Sequence, residues 1–213
     1  MTKNVIQIRP EDLVYWYFRL NGFLTIRNFV VHPDYGAEQK TEVDILGIRL
    51  PFRKELLENP MEDDDIFTTH KGKSYIVIAE VKSGHSGTCK LNRTWTEENQ
   101  KNLNRIMKAI GAFSREENDN VAKALYRHGI YENKAYYVSL FCIGRRVNPT
   151  LKKKYTDVPQ ITPNKILKFI YQRFRNYSQQ KMSHPQWDQT GQSLWRAFQE
   201  CENSNQFIRR LTL

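Results

Sequence analysis

The run SYIVIAEVK, residues 74–82, constrains this chain most. It is rich in β-branched and other apolar side chains, and it shows no polar alternation until its end. Such a stretch reads as a strand covered on both faces, which places it in the middle of a sheet. A doubly covered strand needs helices above and below, so the expected class is α/β, a central mixed sheet flanked by helices. The strand then ends on two ionisable residues, Glu80 and Lys82.

The rest of the chain supplies elements for those layers. PEDLVYWYFRLN (10–21) predicts a helix: Pro10 suits the first turn, Glu11 and Asp12 its positive end, and Gly22 its close. Leu13, Trp16, Tyr17 and Leu20 follow helical spacing. LTIRNFVV (24–31) and TEVDILGIRL (41–50) read as strands. A helix is expected over about 96–113, capped by Thr94 with Glu97 or by Thr96, and carrying the stripe Leu103, Ile106, Met107 and Ile110. A helical stretch near 118–128, a strand at 135–144, a short strand at 158–162, a helix at 163–181 and a helix near 190–203 follow. The acidic run Glu62–Asp65 reads as a solvated turn.

The charge is unevenly spread. The formal net charge is +10, yet residues 1–100 carry 13 basic and 15 acidic side chains, whereas 101–213 carry 20 and 8. Between 145 and 181 ten cations stand against Asp157 alone. A basic surface of this kind attracts polyanions and releases their counterions, and it also simply aids solubility. No apolar run approaches the roughly 20 residues that cross a bilayer, so no membrane span is expected. No secretory signal is visible at the N-terminus. Cys89, Cys142 and Cys201 are odd in number and form no C-x-x-C pair, which argues against a disulfide framework and thiolate zinc. A reducing, cytoplasmic setting fits them best.

Glu80 and Lys82 are two positions apart on one strand, so they share a face with Cα atoms about 6.6 Å apart. Burying such groups is costly unless they are paired or bound to a metal. Asp44 lies mid-strand in TEVDILGIRL. If 41–50 and 74–82 pair as a hairpin, Asp44 and Glu80 converge on one hard cation, and Mg²⁺ needs only one or two carboxylates beside its waters. Lys82 would then hold the attacking water and offset charge on phosphorus. An E-x-K alone also describes two residues pairing with each other at a solvent edge. Glu42 shares a strand face with Asp44 and competes as ligand; Gln100 is a helix polar residue near the site or a solvent-facing one. The five histidines lack zinc spacing. Gly72-Lys73-Ser74 is no phosphate loop, and Gly84-His85-Ser86 no hydrolase elbow.

The pattern Asp44…Glu80-Val81-Lys82, with Glu11 and Gly22 on an early helix and Glu42-Val43-Asp44 on the next motif strand, resembles the PD-(D/E)XK nuclease superfamily. The branch of four-way-junction resolvases is the nearest in kind. The resemblance implies a restriction-endonuclease-like three-layer core over 1–145; the basic, mainly helical part over 146–213 has no counterpart in that group and is expected to pack on the core. It implies Asp44, Glu80 and the Val81 carbonyl as ligands of Mg²⁺ (Mn²⁺ substituting), Lys82 as the catalytic lysine and Glu11 as an accessory acid. Val43 stands where that group commonly has Pro, and the stretch between the motif strands is long. The expected activity is metal-dependent phosphodiester hydrolysis, on DNA in preference to RNA. Lys152, Lys153, Lys154, Lys165, Lys168 and Arg175 are the expected nucleic-acid contacts. The competing reading is a binding module that does not cleave alone. A homodimer or a protein complex is left open.

Overall fold

The computed structural model describes residues 5–36, 38–83, 87–96 and 101–213. A short strand β1 (Ile6–Gln7) precedes helix α1 (Pro10–Leu20). Strands β2 (Leu24–Val31), β3 (Thr41–Arg49) and β4 (Ser74–Val81) follow. Next come α2 (Asn102–Ile110), α3 (Arg115–His128), β5 (Ile130–Glu132) and β6 (Tyr136–Ile143). The chain continues through α4 (Pro149–Lys154), β7 (Gln160–Ile161), α5 (Pro163–Asn176) and α6 (Ser178–Lys181). It ends with α7 (Gln189–Gln199), α8 (Ser204–Arg210) and β8 (Leu211–Thr212).

The main sheet is mixed, with order β2-β3-β4-β6-β5 and β7 added beside β6. β2, β3 and β4 are antiparallel neighbours, and β4 runs parallel to β6. The apolar run of β4 thus occupies the interior of the sheet. Alternation sends Tyr75, Val77, Ala79 and Val81 into one core with α1, α5, α7 and α8. Ile76 and Ile78 enter a second core under α2 and α3. The result is a sheet with helices on both faces. Residues beyond 145 belong to these layers: β7 extends the sheet and Ile166, Ile170 and Phe174 of α5 lie in the first core.

Several local expectations change. The helix expected from 96 begins at Asn102, after Lys101 in a left-handed conformation (φ 53°). Ahead of it, Asn92 caps a 3-10 turn, Arg93–Trp95, accepting from the Thr94 amide. Neither Thr94 nor Thr96 caps the helix, and Glu97 and Gln100 lie outside the described residues. α3 starts three residues early, because Ser114 and Glu117 form a capping box there. The helix expected over 163–181 divides at Tyr177, and a separate α8 follows the last expected helix.

The acidic run is solvated only at its ends: Glu62 and Asp65 are exposed, whereas the middle two residues are not. Asp63 and Asp64 are 6% and 7% exposed at the side chain. Asp63 accepts from Arg53 and Arg173 at 3.1 and 3.2 Å and also pairs with Arg49. Tyr17 donates to Asp64 at 3.0 Å, and the Asp64 amide donates to Asn21 at 2.7 Å. Carboxylates placed between cations from three separate elements lose little by leaving water. Arg173 and Lys181, two of the ten cations in 145–181, are consumed in this network: both are buried and Lys181 pairs with Glu55.

Candidate functional site

Asp44 sits where the sheet changes phase. In β3, Ile45 faces the α1 core and Leu46 the α2/α3 core, so strict alternation would send Val43 toward α1; it lies in the α2/α3 core instead. β2 does the same. Arg27 reaches Asp12 of α1, whereas Phe29 packs against the α2/α3 core. Between them Asn28, with φ 52°, adopts the left-handed conformation that Asn tolerates better than branched residues. The β2–β3 register passes from Arg27–Ile45 to Phe29–Val43, leaving Asn28 and Asp44 facing each other at the switch.

On its other side β3 parts from β4. The last ladder pair is Ile45–Ala79. One step on, the Val81 amide donates to the Asp44 carboxylate at 2.7 Å. Asp44 therefore replaces a ladder partner, and its side chain is fixed across from the E-x-K segment. Glu80 follows Ile76 and Ile78 onto the α2/α3 face, where Cys142 of β6 is its register partner. Only 5% of Glu80 is exposed. One carboxylate oxygen, Oε1, accepts from Lys82, so the two residues do share a face and do pair. The other, Oε2, is buried and has no hydrogen-bond partner.

Both carboxyls are pushed up from their ordinary range, chiefly by burial. At Asp44 the Val81 amide and Lys82 oppose this, while Glu11 and Glu42 add to it. At Glu80 the Lys82 and Asn92 side chains oppose it, and Asp44 adds to it. Glu11, half-buried on the first turn of α1, thus acts on Asp44 by charge. Glu42 points outward, exposed and holding Gln39 at 2.9 Å. Asn92 was not foreseen. Its Oδ1 is taken by the Thr94 amide and hydroxyl, and its side chain counters the upward shift at Glu80. Its position before Arg-Thr-Trp, an Asx-turn context, was the available signal.

A carboxyl whose folded pKa is raised adds stability at low pH, and loses it as pH climbs from the unfolded value near 4 through the folded one. The half-buried Asp44 pays a screened cost. Asp44→Asn keeps an oxygen for the Val81 amide and removes the charge. Without divalent metal it should raise Tm at pH 7 by about 2–4 °C, equivalent to about 1 kcal/mol at this length. The gain should shrink towards pH 4. Thermal unfolding at both pH values checks it; a fall in Tm at pH 7 would refute the burial account.

The arrangement can hold a hard cation. Two carboxylates from adjacent strands repel each other by charge, and one buried oxygen of Glu80 has no hydrogen-bond partner. Among the described residues no group of three or more His, Cys, Asp or Glu side chains forms a metal cluster. A two-carboxylate set completed by waters is nonetheless the usual Mg²⁺ pattern.

The expected nucleic-acid contacts are scattered. Lys152, Lys153 and Lys154 are exposed on α4, where Lys152 donates to the Thr156 carbonyl and Lys154 lies 5.0 Å over the Tyr155 ring. Lys165, Lys168 and Arg175 are exposed on α5. α5 packs on the face opposite α2 and α3, and Lys165 stands 3.5 Å from Asp64. His85 lies outside the described residues. No helix is long and apolar enough to cross a membrane among the described residues. No protein-family model, curated protein or solved structure matches the chain.

Proposed function

We propose that the chain is a divalent-metal-dependent nuclease that hydrolyses phosphodiester bonds in DNA, built on a restriction-endonuclease-like core. The buried, unpartnered Oε2 of Glu80, on a carboxyl electrostatically coupled to Asp44 on the neighbouring strand, carries this reading. An orphaned carboxylate oxygen costs about 1–3 kcal/mol or more unless something meets it, and a cation does so best. Asp44, Glu80 and the Val81 carbonyl would hold Mg²⁺ or Mn²⁺, with Glu11 tuning the local charge.

The bound ion supplies Lewis acidity towards a phosphoryl oxygen and acidifies a ligated water. The chain's own groups do the rest. Asp44 is oriented by the Val81 amide, so its position needs no rearrangement. Lys82, one-third exposed at the side chain, projects from the same face and offsets charge gathering on the non-bridging oxygens. Asn92 steadies Glu80 in its ionised form. The Glu80–Lys82 pair also fits the competing reading, a nucleic-acid-binding module that cleaves only within a complex or not at all.

Incubation of supercoiled plasmid and single-stranded DNA with Mg²⁺, Mn²⁺ or EDTA separates these readings. Metal-dependent cutting supports hydrolysis. Binding without cutting under every metal supports the module.

A further inference from the structure

A cleft of about 730 Å³ lies between the end of β2 and the outer sides of α2 and α3. Arg105 and Lys108 line it from α2, Lys101 from the position just ahead of α2, Lys123 from α3, and His32 from the end of β2. Arg105 and Lys108, three positions apart, share one face of the helix, and Lys101 stands one turn ahead of Arg105, whose amide donates to its carbonyl at 3.1 Å. Two carboxylates, Asp34 and Asp119, share the cleft, and Asp119 accepts from Asn104 at 2.8 Å. Four permanent cations still outnumber them.

This cleft and Glu80 are on the same side of the sheet, and Asp44 lies on the strand next to Glu80. Val31, in its wall, pairs with Thr41. Thr41 is three positions along β3 from Asp44, about 10 Å. The rim between them is tied together: Thr41 and Thr94 share a hydroxyl hydrogen bond of 2.9 Å, Trp95 donates to Thr41 at 3.2 Å, and Asn102 donates to the Thr94 carbonyl at 3.4 Å. Glu80 faces the same helices. By contrast, Lys165, Lys168 and Arg173 line a groove with Glu62, Asp63, Asp64 and Asp65, where acids outnumber cations.

We propose that the substrate DNA backbone lies in this cleft, gripped through its phosphates by Lys101, Arg105, Lys108 and Lys123, and runs from there onto Asp44 and Glu80. The stretch from position 101 to 108 spans about 10 Å, enough for two or three phosphates along one strand at 3.4 Å per step. Such contacts position the strand without reading its sequence. The inference rests on the nuclease reading for its substrate class.

Fluorescence anisotropy of labelled duplex and single-stranded DNA in EDTA tests it, over a salt series. Lys108→Gln/Lys123→Gln alters two exposed lysines and should weaken binding about tenfold, lowering the log–log salt slope by about 2. Lys168→Gln/Arg175→Gln, with the same charge change, should alter affinity less than twofold. The proposal is overturned if the α5 pair causes the larger loss, if the cleft pair causes none, if wild type binds no DNA, or if RNA alone competes. Cutting is scored separately on the same proteins with Mg²⁺. Cleft-dependent binding without cutting sinks the nuclease reading and leaves the cleft standing. Cutting that the cleft variant performs as well as wild type does the reverse.

Discussion

Lys82→Ala should reduce metal-dependent cleavage by about 10²–10⁴-fold, the range for deleting a charged group aimed at developing transition-state charge. The side chain has a second task here, because Lys82 is the ion-pair partner of Glu80. Its removal leaves a buried carboxylate with less to favour ionisation, so the acid limb of the pH–rate profile should move to higher pH. Metal binding should survive, since a competing cation has been removed from Glu80. Asp44→Asn and Glu80→Gln should instead lose Mn²⁺ binding together with turnover. Single-turnover cleavage and Mn²⁺ titration, run on all three variants, separate the roles. Undiminished cutting by Lys82→Ala would remove the lysine from the mechanism.

Asp63→Ala should be the most destabilising single change away from the candidate site. Its carboxylate lies between Arg49, Arg53 and Arg173, and the Arg173 side chain is 1% exposed. Taking away one partner of a buried ion pair costs about 3–5 kcal/mol, because the other charge stays behind without compensation. Arg173 keeps a weaker link to Glu55 at 3.9 Å and to the Glu62 carbonyl, which favours the lower end. At 2–4 °C per kcal/mol the expected fall in Tm is about 6–16 °C. Asp63→Asn, which preserves the shape, should cost less. Calorimetry checks both, and a fall below 2 °C for the alanine variant would mean that the network contributes little.

How far this molecule could be read from its residues depended on the range of the interactions involved. β4 was legible because its apolar run carries its own burial, and α1 because Pro10, the first-turn acids and the Leu13–Leu20 stripe are local signals. The face shared by Glu80 and Lys82 followed from strand period alone. The phase switch at Asn28 and Asp44 was not legible: period 2 carries straight through it, and the left-handed Asn shows itself only in the backbone. The middle of the Glu62–Asp65 run misled for a similar reason. A string of acids looks solvated until Arg49, Arg53 and Arg173 are brought to it from elsewhere in the chain. The same holds for charge in general. Counting cations pointed to 145–181, but a count could not tell that two of the ten, Arg173 and Lys181, are held in internal pairs.

Crystals soaked with Mn²⁺ and measured for anomalous scattering test the central claim most directly. One peak is expected between Asp44 and Glu80, with carboxylate oxygens from both strands about 2.1 Å away. No peak there at millimolar Mn²⁺, or a peak held by other side chains, would contradict the account.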